Sequence, residues 1–319
     1  MGAKEGPPIN LVRTSLVLIG LLVLAGNNLQ AQVLKAQISI TSLSPARVVV
    51  DGECALTDTW SFRNVYGGIT GLGQRIDDFQ ATDARGESVS VRQLAPGEFR
   101  ANSRVAHFKY EVAVGEPAKP AQLSHLSWLN QERGVLMLAD LFPHSGNDSE
   151  DQPTIVEFKP PSGWTVVSAV RPIAGQRYLV SKTKDAVFYV GRSLREKIVN
   201  VDSMELALIT SSKWPFKDSE ALNIAGQVIK HYSKLTKHRL ASRSVVMLSP
   251  LTSSDSQARW SAETRGSTIV LLLRANTSRG VLLDRLGILF THELLHLWVP
   301  NALSLDGDYD WFFEGFTVY

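Results

Sequence analysis

Cysteine is nearly absent: Cys54 is the only one in 319 residues, so no internal disulfide can brace the fold. It reads as a small buried hydrophobe. An excess of one charge sign is lacking too. With 33 basic and 31 acidic residues the net charge is +2, and no basic stripe or acidic tail appears. The composition therefore makes no electrostatic case for a nucleic-acid partner. Internal repeats and low-complexity tracts are absent. A chain of this length at 44% hydrophobic residues is sufficient for two ordinary domains with real cores.

One apolar run stands apart from the rest, Leu16–Gly26. It is shorter than the roughly 20 residues that cross a bilayer. Lys4 and Arg13 precede it and Ala31 closes a short polar exit, the parts of a secretory signal over residues 1–31. The expectation is export to the periplasm or beyond, the alternative being a membrane anchor formed by the uncleaved segment. No other membrane contact is expected.

From about Val33 to Thr210 the sequence reads as strands. Lys35–Ser42, Val105–Val114, Ile155–Lys159, Trp164–Val170 and Ala186–Val190 are rich in β-branched and aromatic residues, and Gly, Pro, Asn and Asp cut between them. Gly115–Gln122 and Pro143–Pro153 read as loops. No helix-period run interrupts this stretch, so a β-rich N-terminal domain, an antiparallel sandwich, is expected over residues 32–211. The character then changes. Lys217-Asp-Ser219 starts a helix whose apolar residues run from Ala221 to Tyr232 at helical spacing. A strand over Ser244–Leu248 follows, then a continuous apolar strand, Ser267–Leu273, of the kind buried on both faces. A long helix from Ser278 ends before Pro300. An α+β domain over residues 212–319 is the expectation.

That last helix carries His292-Glu-Leu-Leu-His296. Histidines four residues apart project from one helix face and can reach a single zinc at about 2.0–2.1 Å each. Glu293 lies roughly 100° around the helix from His292. It can approach an attacking water without ligating the metal, as a general base must. A catalytic zinc takes three protein ligands and keeps one position open. Glu314 is the natural third, 18 residues past His296, with Asp306-Gly-Asp308 as the turn between. The competing reading is a pair of satisfied core histidines. Against it, two histidines and a glutamate on a buried helix cost a few kcal/mol each if unpaired, and a metal removes that cost. His107, His125, His144, His231 and His238 are scattered and read as surface or structural.

The segments His292-Glu-Leu-Leu-His-Leu-Trp298 and Trp311-Phe-Phe-Glu-Gly-Phe-Thr-Val-Tyr319 resemble the glycyl aminopeptidase family, PDZ-domain-containing zinc aminopeptidases of the gluzincin clan. The resemblance implies a β-rich domain followed by the first part of an α+β, thermolysin-like metallopeptidase domain. It implies one zinc ion held by His292, His296 and Glu314, with Glu293 as base and proton shuttle and a peptide as substrate. In the family a Gly-Gly-Leu-Glu-His segment precedes a Ser-Thr strand, and its glutamate is thought to hold the substrate's free amine. Here that stretch is Trp260-Ser-Ala-Glu-Thr-Arg-Gly-Ser-Thr268, which assigns the role to Glu263, although the family's glycines and histidine are replaced. A solvated loop carboxylate is the other reading of Glu263. The family continues past the third ligand with a cleft-closing helical domain, an oxyanion tyrosine and a PDZ domain, so a chain stopping at Tyr319 is expected to be a fragment.

Two functions from different classes remain open at this point. One is a zinc peptidase, either an aminopeptidase or an endopeptidase, in which strand Ser267–Leu273 lines the cleft and pairs with substrate backbone. The other is a secreted binding protein whose zinc site is structural or vestigial.

Overall fold

The computed structural model describes residues 34–143, 153–240, 243–251 and 259–303, together with Glu314. The signal-like segment, most of the Pro143–Pro153 loop with His144, and the Asp306–Asp308 turn lie outside these residues. So does Asp310–Tyr319 apart from Glu314.

Strands with residues of opposite apolar faces stack into layers. The first layer is an eight-stranded sheet whose spine is two 16-residue strands, Ala46–Ser61 and Glu98–Ala113. A four-stranded sheet lies next to it, with Arg133–Met137 and Val187–Gly191 at its centre. Leu136, Phe188 and Val190 share one core with Ile38, Val48, Val50 and Val156 of the large sheet. The expected sandwich is thus present. Its pairing is antiparallel with one exception, the parallel ladder between Leu34–Leu43 and Thr154–Lys159.

The alternate residues of the four-stranded sheet face the other way. Val135, Met137, Val187 and Tyr189 pack on Ala207, Ile209, Val245, Met247, Val270 and Leu272 of a five-stranded sheet. The intervening residues of that sheet, Leu206, Leu208, Val246, Leu248, Ile269 and Leu271, face the helices. Arg133–Met137, Val187–Gly191 and Thr268–Leu273 are buried at every position and largely apolar because each is covered on both faces.

Two expectations are corrected here. The hairpin of Arg195–Val201 and Met204–Thr210, placed by sequence in the β-rich domain ending at residue 211, is hydrogen-bonded into the five-stranded sheet through the parallel ladder from Met204–Thr210 to Arg243–Pro250. Patterning shows that a strand exists, and only its neighbours say which sheet it joins. Strand Thr268–Leu273 is flanked on both sides, by Arg243–Pro250 and by Trp260–Arg265, so it has no free edge for a substrate. Among the described residues the two edge strands of that sheet are Arg195–Val201 and Trp260–Arg265.

Helices are few. A one-turn helix, α1 (Leu138–Leu141), and three 3-10 turns fall within the stretch read as strands alone. Helix α2 (Asp218–Thr236) starts where Glu220 reaches back to accept the Lys217 N–H at 2.8 Å. It buries Ala221, Leu222, Ala225, Ile229 and Tyr232. Helix α3 (Arg279–Leu295) buries Leu282, Leu286, Leu289, Phe290 and Glu293, and the chain continues in turns to Pro300. The Tyr232 hydroxyl donates to the Thr291 carbonyl at 2.6 Å, tying α2 to the last turns of α3. Among the described residues no helix is long and apolar enough to cross a membrane.

Candidate metal centre

His292 sits in the last turn of α3 and His296 one turn on, just past its end. Their Nε2 atoms stand 3.4 Å apart. Glu314 completes a triangle, with its carboxylate oxygens 3.5 Å from His292 Nε2 and 3.8 Å from His296 Nε2. Tetrahedral bonds of about 2.0–2.1 Å separate two ligand atoms by about 3.4 Å. The spacings are close to that value, each ring facing a different Glu314 oxygen, and the three residues form a metal-capable group with one ligand atom from each lying within 4.8 Å of the others. His296 Nδ1 lies 3.2 Å from the Val299 carbonyl. Donation there leaves the Nε2 lone pair for a metal. Burial, then the neighbouring His296, holds His292 below the usual histidine range despite Glu314, which favours the neutral ring that ligates.

Glu293 faces inward and is 4% exposed. Its Oε2 lies 2.8 Å from the Thr264 hydroxyl, which is also 2.9 Å from the Glu293 carbonyl. One hydroxyl proton serves one of these oxygens at a time. When it goes to the carbonyl, the hydroxyl oxygen can accept from a protonated carboxyl. Burial pushes the Glu293 carboxyl up to about 7, with the Glu263 and Glu314 charges adding to the shift and Thr264 and His125 opposing it. Near neutrality such a group both takes and gives a proton.

Glu263 lies on the edge strand, 9% exposed at its side chain, and is not a solvated loop carboxylate. Its carboxylate accepts from the Tyr66 hydroxyl at 2.5 Å, from Arg265 Nε at 2.6 Å and from His125 Nδ1. Burial alone would raise its pKa. The His125 hydrogen bond, the Arg265 charge and the Tyr66 hydrogen bond outweigh that and hold it below the ordinary carboxylate range. Two guanidiniums stand over the Tyr66 ring, Arg63 at 4.6 Å and Arg265 at 4.1 Å from its centroid. Burial pushes its hydroxyl up to about 12, so it stays a donor.

Sequence reading missed Tyr66 and Thr264 and placed His125 among the surface or structural histidines. Tyr66 and His125 stand 197 and 138 positions from Glu263, so no local spacing could mark them. The β-rich part delivers both. Tyr66 rides on a small ladder, Val65–Tyr66 with Ile69–Thr70, beside a segment in close backbone approach: a Cβ at Gly73 would stand 2.5 Å from the Pro96 carbonyl oxygen. The His125 segment is stitched to the edge strand, with the Ser124 N–H donating to Ser261 Oγ at 3.1 Å and Arg265 Nη2 to the His125 carbonyl at 2.8 Å. Gly67, at φ +53°, packs on the His125 ring, where a Cβ would meet Cγ at 3.4 Å. Tyr66, His125, Glu263, Thr264, His292, Glu293, His296 and Glu314 all line one cleft of about 370 Å³.

Residues 68–187 match the Peptidase M61 N-terminal domain. The chain is similar in fold to an aminopeptidase N family protein from Idiomarina loihiensis, with a TM-score of 0.73 and 16% identity. The likeness covers 89% of this chain and 53% of that one, so this chain spans about half the length of its structural relative. At that identity the likeness is one of fold. Among curated proteins none matches in sequence. The domain match and the shared fold relate the chain to peptidases.

Proposed function

We propose that this protein is a zinc-dependent peptidase that hydrolyses the peptide bond next to a free amino terminus. The observation that carries the reading is the cluster of His292, His296 and Glu314, one ligand atom from each within 4.8 Å of the others, in one cleft with the buried carboxylate of Glu293. Three protein ligands suit a catalytic zinc, which keeps a fourth position open, better than a closed structural site. Two imidazoles and a carboxylate suit zinc as the metal.

A bound zinc supplies Lewis-acid chemistry, polarising the scissile carbonyl and acidifying water. The protein's own groups move the proton. Glu293 takes it from the attacking water and returns it to the leaving nitrogen, so one water and one peptide bond become a carboxyl and an amine. Thr264 holds the carboxylate of Glu293 in place while this happens. The free edge of Trp260–Arg265 offers backbone groups to an extended peptide. The aminopeptidase assignment is supported by Glu263, an acidic group on that edge strand and in the same cleft. Kinship with the glycyl aminopeptidases and export directed by residues 1–31 belong to the same proposal.

Glu293→Gln tests it. The variant should bind zinc at the wild-type stoichiometry, near one ion per chain, while hydrolysis of aminoacyl anilides falls by at least about 10²-fold. Normal hydrolysis by that variant, or a wild-type protein that binds no zinc, would overturn the reading.

A further inference from the structure

The neighbour of the edge strand Trp260–Arg265 fixes which of its backbone groups are free. In that neighbour, the Leu273 carbonyl accepts the Leu251 N–H at 2.8 Å, and just before it the Ser267 carbonyl accepts the Val245 N–H at 2.9 Å. Odd-numbered residues there therefore turn their amides toward Arg243–Pro250. The even-numbered ones, Thr268, Val270 and Leu272, turn toward their partners Arg265, Glu263 and Ser261. Trp260, Ala262 and Thr264 are left with N–H and C=O pointing outward, where among the described residues no strand pairs with them. These three also share one sheet face, since side chains alternate along a strand. Thr264 shows which face it is, because its hydroxyl lies 2.8 Å from Glu293 Oε2. Ala262 packs against the core that holds the buried residues of α3, and it lines the cleft. Trp260, two residues further along that face, is 42% exposed.

We propose that Trp260 sets specificity on the leaving side of the cleaved bond: its indole receives an apolar side chain from the third or fourth residue past that bond. The inference rests on the peptidase reading and deepens it. Distance gives the direction of the bound peptide. Trp260 precedes Thr264 by four residues, about 13 Å of strand, whereas the single residue on the amino side of the bond spans about 3.4 Å. That side cannot reach the indole from a bond cleaved beside Glu293. A peptide lying antiparallel to the edge strand reaches it with its carboxyl side. Pairing with the free groups of Ala262 and Trp260 holds such a peptide without reading its sequence, and the indole supplies the preference. The preferred substrate is then an extended peptide of roughly five residues rather than a dipeptide.

The test measures kcat/KM of the zinc-loaded protein on seven-residue alanine peptides ending in lysine amide, with one Phe moved through positions two to six. Mass spectrometry of the products locates the cleaved bond. At the third or fourth residue past that bond, wild type should favour Phe over Ala by about fivefold, the worth of one aromatic contact. Trp260→Ala should bring that ratio to unity, and Trp260→Tyr should keep most of it. If Trp260→Ala slows the Phe and Ala peptides equally and leaves the ratio intact, Trp260 is a structural residue and the proposal is wrong. A wild type with no preference, or with one confined to the first residue past the bond, also overturns it. Should Trp260→Ala not fold, Trp260→Gln serves, and a ratio retained there is likewise fatal. Wild type that cleaves none of the peptides would instead remove the peptidase reading, and this inference with it.

Discussion

At the scale of single residues, the cleft is organised by hydroxyls and guanidiniums more than by the carboxylates they hold. Thr264 is the clearest case, since its hydroxyl is within 2.9 Å of both the carboxylate and the carbonyl of Glu293. Removing it leaves a buried carboxylate short of a donor. Thr264→Val should lower kcat/KM roughly 10-fold, equivalent to about 1.4 kcal/mol, with zinc stoichiometry unchanged and Thr264→Ser close to wild type. Steady-state kinetics and metal analysis check this together; a Val variant with full activity would dismiss the role. His292, Glu293 and His296 were legible in the sequence because four-residue spacing on a helix is itself a geometric statement. Tyr66 and His125 were not, because the residues that place them lie on other elements.

Between elements, polar links hold the helices against the five-stranded sheet. Arg195, on the edge hairpin, grips Asp218 at the start of α2 with two hydrogen bonds, Nε to Oδ2 at 2.8 Å and Nη2 to Oδ1 at 3.0 Å. The Arg195 hydrogen bond, against a smaller opposing effect of burial, holds the Asp218 carboxyl below its usual value of 3.8. A carboxyl depressed in the folded state stabilises the protein above its unfolded pKa, and that contribution is lost as pH falls through the folded value. Arg195 is 43% exposed, so solvent screening limits the pair. Asp218→Asn should cost about 1 kcal/mol at pH 7. The gap should close as pH drops below about 4. Urea midpoints of both proteins across that range measure it, and a gap independent of pH would show that the charge contributes nothing.

For the molecule as a whole, the four-stranded sheet is a shared layer. One face completes the sandwich core and the other is covered by the five-stranded sheet, so cutting between them exposes Val135, Met137, Val187 and Tyr189 together. A fragment of residues 34–192 should bind a hydrophobic dye strongly and self-associate, whereas the longer chain should not. A monomeric, dye-silent fragment would show that the sandwich needs no cover. The stacking also explains how one cleft draws side chains from two parts of the chain, since the His125 segment and the edge strand meet along this boundary.

By itself the sequence determined the period of each element, the turn chemistry and the one helix on which two histidines and a glutamate share a neighbourhood. Those are local consequences of side-chain spacing, and they carried the sandwich, helices α2 and α3 and the metal-ligand candidates. Tertiary structure alone decided which sheet the 195–210 hairpin joins and that Trp260–Arg265 is an edge strand, because side-chain patterning does not name a strand's neighbours. It also decided that Glu263 is enclosed by Tyr66, Arg265 and His125. A carboxylate's neighbours are set by long-range packing, and the character of Glu263 depends on exactly those neighbours.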